Sequence, residues 1–446
     1  MKTHTFSRRV NLPVSAARAY EWHERPMAFE RILPPWEEVQ VVTKAGGIRD
    51  GKHVELLSKI GPFTATWLVE YRDCRPGDQF RDVALRSPFA YWNHLHRFEP
   101  QSENLCTLED SIEFVLPGGS IGQLLINGYT QHQLERMFRY RHETTASDLA
   151  LQEQYKDRGM RKIAVTGGSG LIGHALIPFL STAGHEVFSW RRQNAASYFF
   201  EQLDFPADAV VHLAGENIGE RWTPAKKAKI LESRVEGTRS LCRQLAELPT
   251  PPKVLICASA TGYYGFRGEE ILDEKSTLGQ GFLAEVVERW EAAAEPARER
   301  GIRVVMLRFG VILSPRGGAL KSMEGPYRFG FGGRIGDGKQ YWSWISVDDA
   351  IGAILHAIHT ESLEGPVNVV TPHPVTNAEF SACLGRVLHR PAIAPFPAIA
   401  VRMLLGELGE ELLLSSKRVV PAKLIAAGYQ FRYPDLENAL KHLLGK

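Results

Sequence analysis

The stretch Ile163-Ala164-Val165-Thr166-Gly167-Gly168-Ser169-Gly170-Leu171-Ile172-Gly173 decides how the second half of this chain is read. Its first four residues form a short apolar strand, and Ala175, Leu176, Phe179 and Leu180 beyond it recur at helical spacing. Strand, glycine turn and helix in that order are what a dinucleotide pyrophosphate needs. Glycines permit the tight turn and close approach of backbone to phosphate, and the helix N-terminus supplies N–H donors and a positive dipole. The helix is expected to end at Gly184, with Pro178 kinking it, before a second strand from His185 to Trp190. The plainer alternative is a glycine-rich turn with no ligand.

Arg191-Arg192 closes that second strand, where an acidic residue would bind the ribose 2′-hydroxyl of NAD. Paired guanidinium groups suit a 2′-phosphate instead, so NADP(H) is the expected cofactor. A solvated surface pair is the alternative. Farther out, the apolar runs Lys162 to Thr166, Ala209 to Ala214, Val254 to Ser259 and Val304 to Phe309 alternate with helical stretches. That pattern predicts an α/β Rossmann domain, a doubly wound parallel sheet.

Toward the N-terminus the period changes to two. Met1 to Leu12 reads as a strand; Phe63, Ala65, Trp67, Val69 and Tyr71 alternate with mostly polar neighbours; Tyr91 to Phe98 and Leu105 to Val115 flank a polar turn as a hairpin. From Tyr129 to Gln154 the spacing is helical, with Leu134, Met137, Phe138, Arg141 and Thr145 on one stripe. The first half is therefore an α+β domain over residues 1–152, joined by a linker at 153–160 to the Rossmann domain at 161–395. In the hairpin, alternation puts His94, His96 and Asp110 on one largely apolar face, and a register pairing His94 with Asp110 and His96 with Leu108 is predicted. A carboxylate among Leu108, Ile112 and Phe114 needs a compensating partner, so a His–Asp pair in the wall of the domain is expected to give a ligand its polar anchor. The His94–His96 spacing is metal-like, but no third ligand is evident and no metal is expected.

With 446 residues, 44% hydrophobic and 23% charged, the composition is that of an average soluble protein of two or three domains. A net charge of +2 gives no field for nucleic acid or an anionic membrane surface. Cys74, Cys106, Cys242, Cys257 and Cys383 form no CxxC pair, which fits a reducing cytoplasm. The N-terminus lacks the apolar core of a signal peptide, and the longest apolar stretch, Ala392 to Leu405, is broken by Pro395, Pro397 and Arg402, so no membrane insertion is expected. The oligomeric state is not legible.

From Met160 onward the chain resembles the extended short-chain dehydrogenase/reductases, and more narrowly an atypical epimerase group with a C-terminal extension, here 396–446. The resemblance rests on Thr166 to Gly173, His212-Leu213-Ala214-Gly215-Glu216, Arg221-Trp222, Ser233-Arg234-Val235 with Thr238, Ser259 to Gly265, Leu307-Arg308-Phe309-Gly310-Val311, Gly332-Gly333, Trp344 to Asp349, and Asn368. It implies that Gly167, Gly168, Ser169, Gly170, Leu171, Ile172 and Gly173 hold the pyrophosphate, that Leu213, Ala214, Gly215 and Glu216 lie on the adenosine side, and that Ser259, Gly310 and Val311 approach the nicotinamide. It also implies that Asp348-Asp349 close a loop over the site and cap a helix. The N-terminal half is similar to START-like (SRPBCC, polyketide cyclase type) helix-grip domains through Trp92 to Phe98 and Asp110. That resemblance implies a cavity for a lipophilic small ligand.

One feature of the larger family is missing. Its acid/base tyrosine and the lysine four residues later share a helix face, where the ammonium lowers the phenol pKa. The corresponding helix here reads Gly281 to Glu291 and places Leu283 and Val287 at those positions, while Ala260 takes the orienting hydroxyl's place. Ser259, Thr261 and Tyr263 are the candidate substitutes, with a proton from water or binding without turnover as the alternatives. Arg221, Trp222, Trp342 and Trp344 are expected to shape a substrate pocket, although tryptophans are as often simple core. The leading expectation is an NADP(H)-dependent oxidoreductase or epimerase acting on a small, perhaps lipophilic substrate; the rival is a non-catalytic NADP(H) or ligand sensor.

Overall fold

Period-two alternation builds the first of two compact units in the computed structural model, which describes residues 2–43, 46–60, 62–117, 119–194, 198–203 and 205–446. That unit takes in the chain up to Gly159 together with Ser181–Gly184 and Gly445; the second takes the remainder from Met160. Met1, the first residue of the expected opening strand, lies outside the described residues; the strand itself runs His4–Leu12.

Seven antiparallel strands form the first unit's sheet, in the order His4–Leu12, Leu105–Val115, Tyr91–Ser102, Gln79–Arg86, Phe63–Arg75, His53–Ile60 and Val39–Thr43. Trp92, His94, His96 and Phe98 are buried on one face, whereas Tyr91 and Arg97 are exposed on the other. The 35-residue helix Gly119–Glu153 follows. Leu134, Phe138, His142, Thr145 and Leu149 recur on it every three or four residues and are buried. Phe138 packs with Phe6, Ile112 and Phe114 of the sheet, so this stripe covers the face that carries the histidines.

The hairpin register differs from the expected one by one pair: His94 faces Ile112, and His96 faces Asp110. The expected pairing assumed a longer turn. The strands run to Ser102 and from Leu105, leaving Glu103-Asn104 at the tip with an irregularity between Pro100 and Ser102. A shift of two residues preserves the face of every side chain, so the three polar residues still meet.

In the second unit six parallel strands are ordered Gly365–Val369, Arg303–Phe309, Val254–Ala260, Ala209–His212, Lys162–Thr166 and Glu186–Ser189. This is a Rossmann-like α/β sheet. The chain leaves Lys162–Thr166 toward the Glu186 edge and returns on its other side at Ala209, a reversal that opens a crevice beside the first strand's C-terminal end. Helices Leu171–Thr182, Pro224–Glu247, Phe282–Ala292 and Val347–His359 accompany the strands. Thr223 caps the second of these by accepting from the Lys226 amide, with Pro224 at the first position, where a missing N–H costs nothing. Every residue of Val347–His359 is buried. Residues 396–444 fall in the same unit, and helix Leu436–Leu444 packs into the core around Trp342, Trp344 and Phe380.

Among the described residues no helix is long and apolar enough to cross a membrane. All five cysteines are free thiols.

Candidate functional site

The C-terminal ends of adjacent parallel strands bring the Rossmann motifs into one row. Gly167 has φ +70°, and a Cβ there would lie 2.7 Å from the Leu213 carbonyl carbon, so the glycine turn presses directly on the next strand's exit loop. At Gly173 a Cβ would meet the Gly167 oxygen at 2.4 Å, which is how closely the helix is drawn onto the turn. The Gly170 amide donates to the Gly167 carbonyl at 2.9 Å, and the Leu213 amide to the Thr166 carbonyl at 3.2 Å. Ser169, Gly170 and Gly215 are exposed, and Gly168, Leu171, Ile172, Leu213 and Ala214 are half-buried along the same edge. The result is a glycine cradle exposed at Ser169 and Gly170.

Beneath the turn, His212 Nδ1 lies 2.7 Å from Thr166 Oγ1, and burial pushes its imidazole down to about 4, so it is neutral at physiological pH. Arg191 and Arg192 follow the neighbouring strand and are exposed. Glu216 is engaged by protein groups: its amide donates to Ser233 Oγ and its carboxylate pairs with Lys226 Nζ at 2.7 Å. Gly310 and Val311 leave the Arg303–Phe309 strand half-buried, and a Gly310 Cβ would stand 2.3 Å from the Ser343 carbonyl oxygen.

Ser259 lies one strand closer to the sheet centre. Its Oγ donates to Glu291 at 2.6 Å, and the same carboxylate takes two charge-assisted bonds from Arg308, at 2.8 and 2.7 Å. Arg308 also donates to the Tyr264 hydroxyl, which donates to Asn368 Oδ1. Burial pushes the Tyr264 phenol up to about 12. Burial opposes the charge on Arg308, but Glu291 outweighs it and holds the guanidinium charged. Strand alternation turns Ser259 toward this network and turns the half-buried Ala258 and Ala260 the other way. Thr261 is buried; Tyr263 is half-buried, its ring 3.5 Å from the Arg308 guanidinium carbon. Leu283 and Val287 are buried against Gly262, so the helix uses the two vacant acid/base positions to pack the turn.

The expected pocket residues separate. Trp344 is fully buried in a core shared with Leu320, Phe380 and Leu440, which corrects the expectation that it lines a pocket. Arg221 is exposed, and Trp222, half-buried, donates to the Ile218 carbonyl and meets the Phe282 ring edge-on at 5.2 Å. The helix cap expected of Asp348-Asp349 is made by Ser346, which accepts from the Asp349 amide. The Asp349 carboxylate instead accepts from Ser346 Oγ and the Arg432 and Tyr433 amides, fastening the C-terminal segment; burial raises its pKa.

In the first unit, His94 and His96 meet Asp110. His94 Nε2 is 2.8 Å from Asp110 Oδ1 and His96 Nδ1 is 2.7 Å from the same oxygen, while His142 Nε2 bonds Oδ2. Burial pushes His94 down to about 4. His96 is also opposed by burial, but Asp110 and Asp82 together carry it up to about 9. Burial works against the Asp110 charge as well, yet the three histidines hold it well below the usual carboxylate range. Asp82 and His142 were not legible as partners, since they come from the strand on the far side of His94 and from the covering helix. Period-two reading of Gln79–Arg86, which puts Phe80 and Asp82 together, was the one available signal.

Comparison with known proteins adds the following. Residues 163–370 match the model of the NAD dependent epimerase/dehydratase family, and residues 396–443 match a domain of unknown function (DUF1731). An epimerase family protein of Mycobacterium bovis is 41% identical over 292 residues, which are 62% of this chain and 96% of that protein. The crystal structure of a nucleoside-diphosphate sugar epimerase from Corynebacterium glutamicum is similar at TM-score 0.81 and 32% identity, over 99% of this chain and 90% of that one. A human epimerase family protein, solved with NADPH, is similar at TM-score 0.59 and 35% identity, over 63% of this chain and 98% of that one.

Proposed function

The chain belongs to the NAD dependent epimerase/dehydratase family, and on that footing we propose that it is an NADP(H)-dependent oxidoreductase or epimerase of the extended short-chain type. The observation that carries the reading is the exposed glycine cradle at the crevice, formed by Gly167 to Gly173 against Leu213. The backbone of that turn would bind the pyrophosphate, and Arg191 or Arg192 the 2′-phosphate. Bound there, the cofactor supplies or accepts a hydride. Ala258, Ala260, Gly310 and Val311 offer the small side chains that let a nicotinamide ring lie against the sheet edge. Ser259 has committed its proton to Glu291 and serves as a positioning residue. Of the three candidate hydroxyl groups only Tyr263 is not buried, so it is the protein's own proton donor or acceptor in this reading.

The substrate is a small carbonyl or alcohol, lipophilic in character, and the first unit is a START-like helix-grip domain with a cavity for such a ligand. The antiparallel sheet covered by one long helix supports this. A non-catalytic sensor is favoured by one observation, the apolar packing of Leu283 and Val287 where proton transfer is usually organised. Titration of the full chain with NADPH and NADH, followed by native mass spectrometry of the purified protein, tests both. NADPH binding with a co-purified carbonyl or alcohol that Tyr263→Phe no longer converts supports the enzyme. NADPH binding with no conversion of any bound compound supports the sensor, and no binding of either nucleotide overturns both.

A further inference from the structure

Three adjacent strands of the first unit bring nitrogen and oxygen donors to one point. His94 pairs with Asp82 across one strand boundary, and His96 with Asp110 across the next. His94 Nδ1 lies 3.8 Å and His96 Nε2 3.2 Å from the same oxygen of Asp82, and one ligand atom from each of the three residues falls within 4.8 Å of the others. In a tetrahedral shell with bonds of about 2.1 Å, neighbouring ligand atoms stand about 3.4 Å apart.

We propose that His94, His96 and Asp82 bind a divalent first-row transition-metal ion, with Asp110 holding both imidazoles from behind. The backing arrangement is what separates this cluster from an ordinary buried His–Asp pair. His94 hydrogen-bonds Asp110 Oδ1 through its other nitrogen at 2.8 Å, His96 Nδ1 approaches the same oxygen at 2.7 Å as an ion-pair contact without hydrogen-bond geometry, and His142 fixes the second oxygen of that carboxylate. A carboxylate behind a ligating histidine sets its orientation and raises its basicity. The remaining nitrogens are thereby aimed at Asp82. Asp82 Oδ1 is buried without a hydrogen-bond partner among the described residues, an uncompensated acceptor that a cation would satisfy.

Two carboxylates, Asp82 and Asp110, face the buried Arg141 guanidinium, which interacts with both. Two imidazoles and one carboxylate suit zinc, iron(II) or manganese(II), and three protein ligands leave a position open to water or a ligand. Asp82 retains 24% of its side-chain exposure, while its Oδ1 is buried. The site belongs to the first unit and does not depend on the nucleotide reading.

Stripping the full chain with chelator and titrating it with Co²⁺, read by visible absorption, and then with Zn²⁺ in competition tests the proposal. One equivalent is expected. Asp82→Asn is expected to lower affinity at least about 100-fold, and Asp110→Asn about 10- to 100-fold, both with far-ultraviolet circular dichroism unchanged. X-ray absorption of the Zn²⁺-loaded wild type is expected to show two imidazole nitrogens at about 2.0–2.1 Å, which keeps the test decisive if a variant does not fold. Absence of stoichiometric binding, a metal shell without imidazole, or a folded Asp82→Asn protein of wild-type affinity overturns it.

Discussion

Ser259 donates its hydroxyl proton to Glu291 at 2.6 Å. That serine is thus the neutral hydrogen-bond partner of a buried ion pair, since Glu291 is also held by Arg308. Ser259→Ala is expected to cost about 1 kcal/mol, the worth of one hydrogen bond to a partner that keeps others. Glu291→Gln strands the nearly fully buried Arg308 guanidinium and is expected to cost about 3–5 kcal/mol. Urea denaturation of the two variants checks the order; equal losses would show that Arg308 has another anchor.

The glycine turn separates binding from folding. Gly170 has an ordinary φ, and a Cβ there meets only the Gly167 oxygen, at 3.2 Å. Gly170→Val is therefore expected to fold and to lose NADPH binding, because the side chain enters the space left for a pyrophosphate. Gly173→Ala, whose Cβ would overlap backbone at 2.4 Å, is expected to destabilise the protein itself. Calorimetric titration beside a melting curve distinguishes them. Undiminished NADPH affinity in folded Gly170→Val would place the nucleotide elsewhere.

Arg191 and Arg192 are expected to set nucleotide choice. Removing a charge-assisted contact to the 2′-phosphate costs about 1.5–3 kcal/mol, so the double alanine variant is expected to bind NADPH about 10- to 100-fold more weakly and NADH unchanged. Equal loss for both nucleotides in the variant, or equal affinity in the wild type, contradicts this role.

His212 gives a stability profile with a definite sign. Its folded-state pKa, lowered by burial to about 4, lies below the unfolded value near 6.5. The unfolded chain therefore takes up a proton first as pH falls, and stability is fully present above about 6.5 and lost progressively down to about 4. The loss from this group is up to about 3 kcal/mol. His356, which burial also lowers to about 4, adds in the same direction. The urea midpoint is expected to fall over that window, and to fall less steeply in His212→Asn. Parallel profiles for the two proteins would remove His212 as the cause.

Local sequence determined the elements and their order. Lys162–Thr166, the glycine turn and Leu171–Thr182 could be read because strand period, helix period and turn chemistry are each encoded within a few residues. Alternation likewise put His94, His96 and Asp110 on one face, because the expected and observed registers differ by an even shift and every even shift preserves facing. What lies opposite a residue is a different matter, because it depends on strands and helices distant in the chain. Asp82 reaches His94 from the neighbouring strand, His142 reaches Asp110 from a helix 32 residues on, and Glu291 reaches Ser259 from the same distance in sequence. Trp344 shows the converse: its chemistry is equally suited to a pocket wall and to a core, and only the packing of Leu436–Leu444 and Phe380 over it made it core. Periodicity fixes which way a side chain points, and tertiary packing alone decides what it meets there.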